Sequence, residues 1–182
     1  MIDWKQKLDE LRDKIAKPKV VSVDIDTRFL KIRGEWEVDE RQQKAAWEIY
    51  VELVTRIATV ELTPGEGLLR EALSSLYQIF TETRQILRRY GPVVAKPRGR
   101  GNLTLGAISV TLLNTGLRPV LTKWHPLLMA YEATRKPEVS PPDLEAGWEY
   151  NQELRAILTD LQETMNRYSL LLAEAAGIPP VV

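Results

Sequence analysis

The densest group of chemistry-bearing side chains lies in the fourteen residues Arg88-Arg89-Tyr90-Gly91-Pro92-Val93-Val94-Ala95-Lys96-Pro97-Arg98-Gly99-Arg100-Gly101. Arg88, Arg89, Lys96, Arg98 and Arg100 bring five cations with no acid between them. Its glycines let backbone N–H groups approach an anion, and a helix starting near Asn102 would add its positive end. Phosphate, nucleotide or nucleic acid suits such a loop. A solvated, mobile basic loop has the same composition. No G-x-x-x-x-G-K-[ST] phosphate-binding loop is present.

A second group is Leu117-Arg118-Pro119-Val120-Leu121-Thr122-Lys123-Trp124-His125-Pro126, with the chain's one histidine. Pro119 inside a helical stretch frees a carbonyl and can shape a pocket. His125 is then a candidate general base, with Arg118 or Lys123 holding an anion. The simpler expectation is that Trp124 packs inward with Lys123 and His125 flanking it at the surface. The pocket candidates are therefore Arg118, Lys123, Trp124 and His125.

Other chemistries are excluded by what the chain lacks. With no cysteine there is no thiolate metal site, disulfide framework or cysteine nucleophile. One histidine cannot supply the two Glu-x-x-His pairs of a di-iron bundle, and the residue three before it is Thr122. No nucleophile-elbow sequence accompanies His125. No metal or cofactor is expected.

These residues must be carried by helices. Asp3 can cap a helix whose apolar residues Trp4, Leu8, Leu11 and Ile15 form a narrow docking stripe, ended by Pro18. Val21, Val23 and Ile25 alternate with polar residues, as do Leu30 and Ile32, so a short hairpin is expected between residues 19 and 35. Four long helical segments follow: residues 38 to 62, a second opening on the capping box Thr63-Pro64-Gly65-Glu66, a third near Asn102, and a fourth from Ser140 to about Ala176. Asn102 to Leu117 is uncharged but too short and polar to span a bilayer, so it reads as a buried helix.

The expected fold is all-α, an antiparallel four-helix bundle with an N-terminal helix and a short β-hairpin. Residues 1 to 36 form the docking helix and the extended or hairpin segment, and residues 37 to 182 the bundle, within one compact domain. Net charge is +0, yet residues 63 to 136 hold 11 basic and 4 acidic groups, and residues 137 to 182 hold 2 and 8. Basic second and third helices would then pair with an acidic fourth, each exposed pair adding only ~0–1 kcal/mol.

The function expected is a non-enzymatic module that docks on another protein or self-associates, in the cytoplasm, since the N-terminus has no apolar leader run. Trp4, Leu8, Leu11 and Trp148 are the partner-contact candidates, Trp148 because it sits among Glu145, Glu149 and Glu153. Nucleic-acid or phosphorylated-ligand binding through residues 88 to 101 is the alternative, and an enzyme pocket at Pro119 a second alternative.

Overall fold

Alternation of Val21, Val23 and Ile25 with Ser22 and Asp24 makes a strand with one apolar face. β1 (Lys19–Asp26) buries those three side chains. It pairs antiparallel with β2 (Lys31–Val38), from Lys19 opposite Val38 to Asp26 opposite Lys31. Thr27 closes the turn: its N–H donates to the Leu30 carbonyl at 3.0 Å and its hydroxyl accepts from Leu30 N–H at 3.1 Å. β2 runs three residues beyond the expected limit of the hairpin, because Trp36 and Val38 also point inward. The computed structural model describes residues 19–57 and 66–181. The N-terminal stripe and the capping residues Thr63 to Gly65 lie outside the described residues.

Asp39 ends the strand and caps α1 (Glu40–Val54), its carboxylate accepting from Gln42 N–H at 2.7 Å. α2 (Leu69–Tyr90) follows, then a 3-10 turn (Gly91–Ala95). α3 (Leu105–Thr111) is capped by Thr104 and passes through a π-helical turn (Leu112–Leu117) into α4 (Arg118–Glu132). Pro119 explains the π turn. It has no N–H for the Thr115 carbonyl, and Arg118 N–H instead reaches back five residues to Leu113. Leu105, Ile108, Leu112 and Leu113 are buried, as an uncharged run requires.

The last segment is not one helix. α5 (Pro141–Ala146) is capped by Ser140, and the chain then breaks before α6 (Asn151–Ala176). The break lets Trp148 turn inward, and α6 alone spans ~39 Å. Gly177, at φ +76°, ends it in the left-handed conformation that suits glycine.

Among the described residues 66% are helical, with one two-stranded sheet. α1 packs on α6 and α2, α2 on α4, and β1 along α6. Gln42 ties these layers together. Its side chain is fully buried, and its Oε1 accepts from Trp36 Nε1 at 2.6 Å and from Leu105 N–H at 3.2 Å. One amide thus joins β2, α1 and the start of α3. Tyr168 makes a similar internal bond: Ser109 donates to the Leu105 carbonyl at 2.7 Å, so Tyr168 donates to Ser109 at 2.6 Å. Burial pushes the Tyr168 hydroxyl above its ordinary value.

Gln42→Ala leaves two buried donors without an acceptor. Unsatisfied buried groups cost about 1–3 kcal/mol each, so denaturant titration should show a loss of about 2–5 kcal/mol. A loss below half a kcal/mol would mean that water replaces the amide.

Candidate functional site

The five loop cations do not converge. Leu103 N–H donates to the Glu35 carbonyl at 3.0 Å, and Glu35 N–H donates to Asn102 Oδ1 at 2.9 Å, stitching the loop to β2. A Cβ on Gly101 would lie 2.8 Å from Glu37 N, and one on Gly99, at φ +52°, would strike the Glu37 carboxylate. These glycines serve the close approach of β2, not a ligand. Arg98 pairs with Asp39. Arg89 pairs with Glu48, which also accepts from the Tyr90 hydroxyl at 2.6 Å. Lys96 and Arg100 stand exposed. The expected helix end is already used, since Gln42 accepts from Leu105 N–H and Thr104 from Ala107 N–H. The loop is therefore neither mobile by construction nor a ready anion cradle.

The second group is divided by the turn of α4. Trp124 is 2% exposed, with Lys123 Nζ 4.0 Å above its ring and 3.1 Å from Glu153. Arg118 and His125 face the other way. With Tyr77, Phe80, Leu121, Thr122 and Pro126 they line a groove of about 470 Å³ between α2 and α4. Pro126 sits inside α4 and cannot donate to the Thr122 carbonyl.

Trp148 is 6% exposed and does not act as a surface anchor. It stacks on Tyr131 at 5.8 Å and meets Trp124 and Tyr150 edge-on at 6.1 and 5.6 Å. Its acidic neighbour Glu145 is buried too, for a reason the sequence pattern hides. Its two carboxylate oxygens accept from Leu69 N–H at 2.7 Å and Arg70 N–H at 3.0 Å, capping α2 from α5. Trp4, Leu8 and Leu11 lie outside the described residues.

The next side chain fixes the groove. Arg70 Nε meets both oxygens of Glu132, at 3.0 and 2.9 Å. Its Nη1 lies 3.3 Å from His125 Nε2. A guanidinium only donates, so this contact selects the neutral tautomer in which Nε2 accepts and Nδ1 carries the proton. The Tyr77 ring stands 6.4 Å from the His125 ring, and Tyr77 is 59% exposed. Arg84 and Arg118 flank the Phe80 ring, 5.7 and 6.0 Å from its centre. Neither makes an ion pair among the described residues.

The groove can hold an apolar group and present cations beside it. Sequence reading found Arg118 and His125 but missed Tyr77, Arg70, Arg84 and Glu132. The second proline of α4 was the available signal for a groove. Among the described residues no three His, Cys, Asp or Glu side chains gather as a metal site, and no helix is long and apolar enough to cross a membrane. No family model, curated protein or solved structure matches the chain.

Arg70→Ala should release the His125 tautomer. Imidazole nitrogen shifts at alkaline pH should report Nδ1–H in the parent protein and lose that bias in the variant. An Nε2–H ring in the parent would contradict the Arg70 contact.

Proposed function

We propose that the chain is a non-enzymatic protein-interaction module, an antiparallel four-helix bundle that docks a partner on the face formed by α2 and α4. The partner is an amphipathic segment with acidic flanks. One observation carries this reading: an open, mostly apolar groove has an exposed tyrosine on its wall and arginines beside it that no described acid neutralises. Elsewhere, Arg28, Arg89, Arg98 and Lys123 each pair with an acid from another element or loop. Apolar burial would supply affinity, and the arginines would set orientation and select against basic partners.

Dispersal of the loop cations weakens the nucleic-acid alternative. The enzyme alternative loses support because the His125 Nε2 lone pair is already engaged by Arg70.

A synthetic amphipathic helix of leucine, tryptophan and glutamate, compared with its lysine twin, tests the docking face. By fluorescence anisotropy the acidic peptide should bind at least about ten-fold tighter, a difference of ~1.4 kcal/mol. Thr122→Asp, an exposed position in the groove, should abolish that binding without altering the fold. Equal binding of the two peptides, or full binding by the variant, would contradict the reading. Concentration-dependent dimerisation lost in Thr122→Asp would make a second copy the occupant instead.

A further inference from the structure

Beside the groove, α2 carries a second recess that shares Arg84 with the docking face. Thr81, Arg84, Gln85, Arg88 and Arg89 recur at helical spacing on one face of α2 and line a recess of about 560 Å³. Three arginine side chains therefore line one wall. Arg89 is held by Glu48, which the Tyr90 hydroxyl also supports. Arg84 and Arg88 make no ion pair among the described residues. They stand four residues apart, where like charges repel along a helix. The helix dipole accounts for Arg88 and Arg89, which lie in the last turn. It does not account for Arg84.

The acids and donors nearby are placed consistently. Glu82 takes a long bond from the Gln85 amide, 3.4 Å, and pairs with none of the three arginines. Thr81 spends its proton on the Tyr77 carbonyl at 3.0 Å, so the guanidinium groups are the recess's main donors. Three arginines less the charges of Glu48 and Glu82 leave a surplus of one positive charge, which favours an anion such as a phosphomonoester near neutral pH. Guanidinium forks match phosphate oxygens in shape as well as charge. Arg84 also lies against the Phe80 ring, and Phe80 lines the neighbouring groove. A ligand whose phosphate sits on the arginines has an apolar surface within reach of its body.

We propose that this recess on α2 binds a phosphomonoester, with Arg84 and Arg88 holding the phosphate and the Phe80 side of the groove receiving the apolar body of the same ligand. Only Arg88 and Arg89 of the basic sequence run take part. Lys96, Arg98 and Arg100 do not.

Calorimetry at low salt with phenyl phosphate, inorganic phosphate and phenol tests the proposal in solution. Sedimentation with phosphatidylcholine vesicles containing phosphatidic acid tests a lipid source of the same group. Phenyl phosphate should bind at least about ten-fold tighter than inorganic phosphate, phenol should not bind measurably, and affinity should fall as salt rises. Arg84→Gln with Arg88→Gln should weaken phosphate binding at least about ten-fold in whichever arm shows it, with both positions exposed and the fold retained. Thr122→Asp, which disables peptide docking, should leave inorganic phosphate binding within about two-fold, so the two readings fail separately. Saturable binding lost in the double arginine variant supports the site, and the arm that shows it names the source. Absence of saturable binding in both arms, or binding unchanged in the double variant, overturns it.

Discussion

A single buried carboxylate sets the position of the helix on which both recesses depend. Glu145 is 3% exposed and caps the first two N–H groups of α2 from a helix 76 residues further along the chain. Its own backbone is held in turn, since the Asn151 amide donates to the Glu145 carbonyl at 2.7 Å. The capped residue Arg70 extends the constraint sideways by gripping Glu132 on α4 with a two-oxygen fork. α2 is thus fixed to α5 through its backbone and to α4 through its second side chain. The width of the α2–α4 groove follows from those two attachments. Removing one partner of such a buried, charge-assisted contact costs more than removing an exposed ion pair, because the donors left behind lose water as well as their acceptor.

The uneven charge along the sequence resolves differently from simple pairing between a basic and an acidic helix. Lys123 with Glu153 is an α4–α6 pair of the expected kind. Two other α6 acids find partners elsewhere: Asp160 meets Arg28 at the hairpin turn, and Glu163 meets Arg167 one turn along. Arg155 donates to the carbonyls of Glu66 and Gly67 instead of to an acid. Part of what remains on the basic side is concentrated on α2 and α4. Arg84 and Arg118 flank Phe80, where an apolar surface and positive charge adjoin, and Arg88 lines the recess beside them. That juxtaposition, and not the total charge, is what points to an acidic or phosphorylated partner.

Local pattern made the hairpin and the buried uncharged helix readable in advance, whereas Pro119 reads as a kink and is met by a π-helical turn. The first two depend on residues within a few positions: the alternation of Val21, Val23 and Ile25, and the spacing of Leu105, Ile108 and Leu112. The functional geometry was less readable because its contacts are long-range. Nothing near Glu145 says that it caps α2, so Trp148 beside it read as a surface residue in an acidic run. Nothing in the Gly-rich loop says that Glu35 and Glu37 of β2 lie against it, so its cations read as one site. In the second group the α4 turn separates Trp124 from Arg118 and His125. The docking stripe of Trp4, Leu8 and Leu11 falls outside the described residues.

The central claim is that the α2–α4 face is built for a partner and not for the fold. The stability of Tyr77→Ser tests it without knowing that partner. A side chain that packs against nothing essential can be replaced with a change within about 0.5 kcal/mol, and the account predicts that result in denaturant titration at neutral pH. A loss of about 2 kcal/mol or more, the size of a core truncation, would show that Tyr77 is buried within the chain in solution and would contradict the docking face.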